Sequence, residues 1–306
     1  MRIAIMGTGG VGGYFGGRLA AGGVDVTFIA RGAHLAAMRR SGLRVISPNG
    51  DIHLTPTRAT DDPRTIGPVD YVLLAVKLYD VDGAVAQIAP LVGAETAVVT
   101  LQNGVTSVES VLRHVPRANV MGGVARISAD IAEPGVVRQT GRFADMVFGE
   151  LDGTRTPRGE ALLAASLKAG IAAELSGAIE TDIWRKFAFL ASFSGVTSAC
   201  RLPIGPIRET VSTRALLRAA VAEAADVAAV KGVALGAQFV DQVMAALDNL
   251  PAEMKSSMLV DLERSRRLEV AWLSGEVSRL GAALGVPTPV HDALSALLAP
   301  HAGGRG

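Results

Sequence analysis

The sequence predicts an α/β protein in two parts, a doubly wound domain over residues 1–178 and an all-α helical domain over residues 179–306. In the first part, short β-branched runs alternate with helical patterns, which is typical of a parallel sheet covered by helices on both faces. From about Ile179 the pattern changes to long helices. The length of 306 residues also exceeds what one hydrophobic core usually serves, so two domains are expected.

The first part opens with the strand RIAIMG and a helix that extends to about Gly22. Further strands are predicted at VDVTFIA, LRVIS with DIHLTPT, VDYVLLAV, TAVVTLQ and NVMGGVARISA. The turn-rich, alternating stretch IAEPGVVRQTGRFADMVFGEL predicts a hairpin that closes the sheet, and DGTRTPRG predicts a polar loop. One more helix and the short strand IAAELS complete this domain.

The second part is predicted to contain helices over 181–199, 210–231, 236–249, 258–284 and 290–298. The proline- and glycine-containing segments RLPIGPIRE and GVPTPV are predicted breaks between them.

Composition excludes several classes of protein. Apolar residues make up 49% of the chain, but the longest uncharged helical stretch, 187–200, is too short to cross about 30 Å of hydrocarbon, so no membrane partner is expected. The net charge of +1 gives no global attraction to nucleic acid. With a single cysteine and no histidine spacing typical of metal ligands, we expect no metal and a reducing, cytoplasmic location.

The stretch GTGGVG carries the clearest motif. Gly7, Gly9 and Gly12 match G-x-G-x-x-G, and the motif follows a predicted strand and opens a helix, as the dinucleotide-binding fingerprint of Rossmann-type domains requires. Gly7 would make the tight turn, Gly9 would let a pyrophosphate approach the backbone, and Gly12 would let helix and strand pack closely. The alternative is a glycine turn that only packs tightly. No role is predicted for Gly10.

The end of the second strand indicates which nucleotide is bound. Domains that prefer NAD place an acidic residue there for the ribose 2′-hydroxyl, whereas this chain has Ala30 and Arg31. An arginine can pair with a 2′-phosphate, so NADP(H) is favoured over the alternative of a solvated surface arginine. Predicted strands are also followed by Lys77 and by the pair Gln102 and Asn103, at the sheet edge where such folds bind ligands. The alternative interpretation of Lys77 is an exposed charge with no ligand.

Several motifs together resemble one family. The stretches GTGGVGGYFGGRLA, ARGAHL, AVKLYD, LQNGV, TDIWRKF, RLPIGPIRE, SSMLVDLERSRRLEV and LGVPTPV occur in an order similar to the ketopantoate reductase (2-dehydropantoate 2-reductase) family, over essentially the whole chain. The resemblance implies NADPH-dependent reduction of ketopantoate to pantoate, as in pantothenate biosynthesis. It also implies a C-terminal domain like that of 6-phosphogluconate dehydrogenase, a small-molecule 2-oxo acid as substrate, and a homodimer, which members often form.

The resemblance also implies residue roles. Lys186 matches the catalytic lysine that acts on the ketone oxygen, and Glu269 matches the glutamate of the helical domain. Ser257 and Asn103 match substrate-side residues, and Ser194 is assigned to the same side. The cofactor side then comprises the three motif glycines with Arg31, Lys77, Gln102 and Asn103.

The pattern of the residues themselves supports two of these roles. Glu269 falls on the apolar stripe of the helix predicted over 258–284, where a buried carboxylate is costly unless it is paired or protonated. Lys186 is the last charge before fourteen uncharged residues. The structural alternatives are a salt bridge from Glu269 to Arg185 or Arg266, a lysine that extends to solvent from a helix end, and a plain helix cap at Ser257.

Three positions depart from the family pattern. Leu190, Ser194 and Met254 stand where the family often has asparagines, which removes hydrogen-bond partners for a hydroxylated substrate. Two alternatives therefore stand beside ketopantoate reduction. One is reduction of a different 2-oxo acid or imine, and the other is a non-catalytic NADPH-binding protein that senses redox state.

Overall fold

The structure is a computed structural model that describes residues 1–304. The chain forms two compact units. The first comprises Met1–Gln102 and Thr106–Asp182, and the second comprises Asn103–Val105 and the chain from Ile183 onward.

The first unit is built on a ten-stranded sheet with helices. Its strands are β1 (Arg2–Met6), β2 (Asp25–Ile29), β3 (Leu43–Ile46), β4 (Ile52–Leu54), β5 (Ala59–Thr60), β6 (Tyr71–Leu74), β7 (Ala97–Thr100), β8 (Val120–Glu133), β9 (Val136–Glu150) and β10 (Ala172–Leu175). Its helices are α1 (Gly10–Ala21), α2 (Gly32–Ser41), α3 (Val81–Val85), α4 (Ser107–Leu112) and α5 (Pro157–Lys168).

The strands lie in the order β4-β3-β9-β8-β7-β6-β1-β2-β5, and β10 also pairs with β9. All neighbours are parallel except β3 with β4 and β8 with β9. The parallel-dominated α/β fold is thus confirmed. A hairpin is present, but its first arm, β8, begins at Val120 in the stretch predicted as a separate strand, and β9 takes up most of the stretch predicted to form the whole hairpin. β5 has only two residues and leaves no recognisable pattern in the sequence.

Apolar side chains fill both faces of the central strands. Every residue of β6 and β7 is buried, as a parallel sheet with helices on both faces requires. Phe15 and Leu19 of α1 are fully buried in the same core. A Cβ on Gly16 would lie 2.7 Å from side-chain atoms of both Ile5 and Phe28, so this helix sits closer to the sheet than a larger residue allows.

The second unit is all-helical, as predicted. Its helices are α6 (Ile179–Cys200, whose first residues belong to the first unit), α7 (Ile204–Glu209), α8 (Val211–Val230), α9 (Phe239–Asp248), α10 (Ser257–Glu263), α11 (Ser274–Leu284) and α12 (Pro289–Leu298). α6, α8, α11 and α12 contribute to one buried apolar cluster. The Glu223 carboxylate of α8 accepts the backbone N–H groups of Val290 and His291 at 2.8 and 2.9 Å, which caps α12 from a neighbouring helix.

Two predictions about these helices are wrong. The segment RLPIGPIRE, predicted as a break, contains the six-residue helix α7. The single helix predicted over 258–284 is two helices, because α10 ends at Glu263 and α11 begins at Ser274, with a 3₁₀ turn at Val270–Trp272 between them.

Local backbone chemistry explains the end of α10. Ser265 has a left-handed backbone with φ of +50°. Its N–H donates to the Leu262 carbonyl at 3.1 Å, and the Arg266 N–H donates to the Asp261 carbonyl at 2.8 Å. This pair of hydrogen bonds is the Schellman motif, which terminates a helix by satisfying its last carbonyls.

Within residues 1–304, we find no helix that combines the length and the apolar character needed to cross a bilayer.

Candidate active site

The glycine turn, residues 7–12, follows β1 and includes the first residues of α1. Gly7 has φ of +100°, and a Cβ there would lie 2.7 Å from the backbone nitrogen of Val76, so both conformation and space require glycine. The N–H and the hydroxyl of Thr8 both donate to the Ile29 carbonyl, at 3.1 and 3.0 Å. The turn is therefore held against the end of β2.

Gly9 and Gly12 lie in opposite surroundings within this turn. A Cβ on Gly12 would overlap the Gly7 carbonyl oxygen and lie 2.8 Å from Ile5 Cγ2. A Cβ on Gly9 would meet no atom within 4 Å. Gly9 is also the N-cap of α1, and no side chain caps that helix start. The space beside the Gly9 Cα, at the start of α1, is thus open, and a helix N-terminus with such space can accommodate a phosphate.

The structure assigns a contact to Gly10, for which the sequence predicts no role. A Cβ on Gly10 would overlap the backbone carbonyl of Ala129 in β8. Similarly, a Cβ on Gly13 would lie 2.6 Å from Val137 Cγ2 in β9. These two glycines let the first turns of α1 approach the long hairpin.

Arg31 is the N-cap residue of α2, two residues after the end of β2, and is exposed. Among the residues that the structure describes, no carboxylate forms an ion pair with it, so its guanidinium is available for a ligand. One turn further, His34 Nδ1 accepts the Gly135 N–H at 3.0 Å. Burial lowers the pKa of His34, opposed by a weaker effect of the Thr8 backbone, which favours a neutral ring with its proton on Nε2.

Lys77 and Gln102 follow β6 and β7, as predicted. Lys77 is exposed. Gln102 is buried, with 7% of its surface exposed. Its Nε2 donates to the Leu74 carbonyl at 2.7 Å, which ties the ends of the two strands together, and its Oε1 is buried with no hydrogen-bond partner.

Lys186 lies on α6 in the second unit and is half-buried. Phe189 and Leu190, about one turn further along α6, are also half-buried, so part of each side chain is accessible to solvent. From 191 to 198 the helix is buried on all sides, and Ser194 is 1% exposed. The accessible part of α6 therefore carries one ammonium group followed by two apolar side chains.

The segment 103–105 belongs to the helical unit although it follows β7 in sequence. Val105 packs against the helical core, and Asn103 is half-buried. Asn103 is thus in the same unit as Lys186, whereas the adjacent Gln102 is in the unit of the glycine turn.

At the start of α10, Ser256 and Ser257 differ in role. Ser256 is the cap, since its hydroxyl oxygen accepts the Leu259 N–H at 3.1 Å and the Thr197 hydroxyl at 2.8 Å. Ser257 is the first helical residue and is exposed. The alternative of Ser257 as a plain cap is therefore excluded.

Glu269 is buried, with 5% of its surface exposed, but it does not lie on a helix stripe as predicted. It occupies the N-cap position of the 3₁₀ turn that follows the break after α10. Its carbonyl accepts the N–H groups of Trp272 and Leu273 at 3.0 and 3.1 Å. The expected burial is thus found on an irregular backbone, because the chain ends one helix at Glu263 and starts another at Ser274.

The predicted site residues therefore fall into two groups. The first unit contains the motif glycines, Arg31, Lys77 and Gln102, and the second contains Asn103, Lys186, Ser194, Ser257 and Glu269. Across residues 1–304, no three or more His, Cys, Asp or Glu side chains come together in a way that would hold a metal ion.

Comparisons with known proteins agree over the full chain. The model of the ketopantoate reductase PanE/ApbA family matches residues 3–153, and the model of its C-terminal part matches residues 178–302. A 2-dehydropantoate 2-reductase of Mesorhizobium japonicum is 34% identical and is aligned over 100% of this chain and 99% of its own.

Solved structures share the fold. The crystal structure of a 2-dehydropantoate 2-reductase from Geobacter metallireducens has a TM-score of 0.91 at 31% identity, covering 98% of this chain and 99% of its own. A D-mandelate dehydrogenase in a ternary structure with NADH and anilino(oxo)acetate has a TM-score of 0.90 at 24% identity, covering 99% and 98%.

Proposed function

The chain belongs to the ketopantoate reductase family, and on this premise we propose that it reduces a 2-oxo acid with NADPH, with ketopantoate as the first candidate. It is an oxidoreductase that acts on a CH–OH group, and a nicotinamide cofactor supplies the hydride when bound. Residues 1–178 are proposed as the cofactor-binding domain and residues 179–306 as the helical substrate domain.

The main support for the proposal is the open space beside Gly9 at the start of α1. Gly7 and Gly12 pack where no side chain fits, while the space that a Cβ on Gly9 would occupy, at the N-cap of α1, is open. These residues fit the pyrophosphate of a dinucleotide. Arg31, exposed and without a carboxylate partner among the described residues, favours a 2′-phosphate and hence NADPH over NADH. Lys77 lies at the same sheet edge and adds a second positive charge.

The second unit is proposed to supply the proton chemistry. Lys186 Nζ would hydrogen-bond to the ketone oxygen, stabilise the negative charge that develops as hydride reaches the carbonyl carbon, and deliver its proton to that oxygen. The product is a 2-hydroxy acid, and solvent returns the proton to Lys186. Asn103 is proposed to orient the ketone and Ser257 to bind the substrate carboxylate. Ser194, which is buried in α6, is proposed to support the substrate-binding part of that helix from within.

Glu269 is proposed to fix the ammonium group or a substrate hydroxyl. A carboxylate with 5% of its surface exposed is stable only where polar groups compensate for lost hydration.

A second candidate function rests on Phe189 and Leu190. These half-buried apolar side chains follow Lys186 on α6, and Met254 is 38% exposed near Ser257 in sequence. An apolar surface beside the proposed ammonium group favours a 2-oxo acid whose side chain lacks a hydroxyl group, because it offers that hydroxyl no hydrogen-bond partner.

A matched substrate pair tests both candidates. Ketopantoate and 3,3-dimethyl-2-oxobutanoate differ only by a hydroxyl group, so the ratio of their kcat/KM values for NADPH oxidation measures recognition of that hydroxyl. A ratio of about 10 or more supports ketopantoate as substrate, since a site that binds the hydroxyl group loses about 1–3 kcal/mol when a substrate without it leaves a buried polar group unsatisfied. A ratio below 1 supports the apolar substrate. Tight NADPH binding without reduction of any 2-oxo acid would instead indicate a non-catalytic NADPH-binding protein.

A further inference from the structure

The chain beyond α12 folds back against the segment that leads into Glu269. A 3₁₀ turn at Ala299–His301 follows α12, and the carbonyl of Ala302 accepts the N–H of Leu268 at 3.0 Å. Leu268 is buried and directly precedes Glu269, and Ala302 packs against the apolar core of the helical unit. This hydrogen bond therefore ties the backbone just before the buried carboxylate to a later part of the chain.

Gly304 packs against the same segment. Its φ is +75°, and a Cβ there would lie 2.5 Å from the carbonyl carbon of Arg266 and 2.6 Å from the backbone nitrogen of Arg267. Because these are backbone atoms, they cannot turn aside as the end of a side chain could. By contrast, a Cβ on the neighbouring Gly303 would meet no atom within 4 Å. Of these two glycines, only Gly304 is therefore in close contact with the segment before Glu269.

The chain that follows Glu269 is fixed to α6, the helix that carries Lys186. Ser274 is fully buried at the start of α11, and its hydroxyl donates to the carbonyl of Ala191 in α6 at 3.4 Å. A Cβ on Gly195 of the same helix would lie 2.8 Å from that hydroxyl oxygen. Glu269 thus lies between a contact with the chain beyond α12 on one side and a contact with the helix of the proposed proton donor on the other.

Glu269 depends on these contacts because its own backbone is irregular. It lies between α10 and α11, at the start of a 3₁₀ turn, so no continuous helix holds it from both sides. Displacement of a functional group by about 1 Å can cost on the order of 100-fold in rate. A contact that fixes the backbone beside Glu269 can therefore affect the reaction without touching any reacting atom.

We propose that Ala302 and Gly304 are positioning residues, which hold residues 266–268 so that the Glu269 carboxylate keeps one place relative to Lys186. This inference rests on the proposed function, in which Glu269 fixes the ammonium group or a substrate hydroxyl. Loss of the contact should lower kcat, while the protein stays folded and still binds the cofactor.

Three glycine-to-alanine variants separate the contact from backbone strain. Gly304→Ala introduces both a Cβ overlap and a left-handed residue, whereas Gly285→Ala, at φ of +71° with open space around its Cβ, introduces only the latter. Gly303→Ala introduces no overlap. We expect Gly304→Ala to lower kcat for NADPH-dependent 2-oxo acid reduction by about 10-fold, with the Kd for NADPH within about twofold. The other two variants should keep kcat within about twofold of wild type.

A double-mutant cycle tests whether the contact acts through Glu269. Glu269→Ala leaves no carboxylate to position, so Gly304→Ala should lower kcat by less than about twofold in that background, against about 10-fold in the wild-type background. A contact that merely supports the fold would lower kcat by the same factor in both backgrounds, and that result would overturn the inference. If Gly304→Ala cannot be purified, a chain ending at Ala302 and a control chain ending at Gly304 take its place in the cycle.

The outcomes also separate this inference from the function on which it rests. If wild-type protein reduces no 2-oxo acid, or if Glu269→Ala alone leaves kcat unchanged, the proposed function or the role of Glu269 in it fails, and the inference fails with it. If Glu269→Ala lowers kcat but Gly304→Ala does not, only the inference fails. The same holds if Gly303→Ala or Gly285→Ala lowers kcat as much as Gly304→Ala.

Discussion

The two units present their proposed functional groups in opposite ways. In the first, the proposed contacts come from the backbone of the glycine turn at the start of α1. Glycine is required there because side chains at Gly7 and Gly12 would overlap neighbouring atoms. In the second, Lys186 and Glu269 are proposed to act through their side chains, and the backbone of their elements has no part in the proposed chemistry. An added methyl group should therefore disturb the first unit, whereas the second should tolerate a truncated side chain and lose only its reaction.

The largest effect is expected for Lys186→Ala. Loss of the group that stabilises and protonates the developing alkoxide should lower kcat by at least about 100-fold. The Kd for NADPH should remain within about twofold, because the proposed phosphate contacts of the glycine turn and Arg31 lie in the other unit. Lys231→Ala, at an exposed position after α8, is the control and should retain wild-type kcat. A Lys186→Ala enzyme with normal turnover would contradict the assigned role.

The next effect compares two glycines of the same turn. Gly12→Ala should destabilise the protein by about 1–3 kcal/mol or more, because its Cβ has no space beside Gly7 and Ile5. Gly9→Ala should leave the melting temperature unchanged, since its Cβ meets no atom within 4 Å, but should weaken NADPH binding where the phosphate approaches. Calorimetry with NADPH titration separates the two. Equal melting temperatures for both variants would refute this division of roles.

Arg31→Ala should change which nucleotide is preferred. Removing a charge-assisted hydrogen bond to the 2′-phosphate should reduce the preference for NADPH over NADH by about 10-fold or more, with NADH affinity nearly unchanged. Arg40→Ala, another exposed arginine on α2, is the matched control for loss of positive charge. If both variants lose the same fraction of NADPH affinity, the effect is general electrostatics and not recognition by Arg31.

The smallest effect concerns the break that precedes Glu269. Ser265 adopts φ of +50°, a conformation that costs a non-glycine residue about 1 kcal/mol. Relief of this conformation should therefore let Ser265→Gly raise the free energy of unfolding by about 0.5–1 kcal/mol. The greater entropy of glycine in the unfolded chain opposes this gain and reduces the measured increase.

Gly285, which ends α11 with φ of +71° and open space around its Cβ, provides the opposite test of what a left-handed backbone costs a non-glycine residue. Gly285→Ala should lower stability by about 1 kcal/mol. Urea unfolding of both variants checks the pair. A lower free energy of unfolding for Ser265→Gly would show that the serine side chain, and not its backbone conformation, stabilises the break between α10 and α11.

These regions also differ in how far their sequences predict them. The glycine turn was predictable because its signals are local: a strand, three spaced glycines and a helix follow one another directly. The break after Glu263 was not, because Leu262 and Leu273 are eleven residues apart, about three helical turns, so the apolar period continues across it.

Long-range contacts were equally invisible in the sequence. The contact that requires glycine at position 10 comes from Ala129, which lies far away in the chain. The unpaired amide oxygen of Gln102 likewise depends on where Leu74 is placed by sheet pairing. Motif spacing identifies Gln102 as a residue at a strand end, but only three-dimensional packing shows which half of its amide is unused.

The most direct test of the account follows the transferred hydrogen itself. The protein is incubated with NADPH carrying deuterium at both C4 positions of the nicotinamide and with whichever of the two matched 2-oxo acids it turns over, and the product is analysed by mass spectrometry. We expect a 2-hydroxy acid with one deuterium at C2, formed by wild-type protein and not by Lys186→Ala at the same NADPH occupancy. A wild-type protein that binds this NADPH and yields no deuterated 2-hydroxy acid from either compound would contradict it.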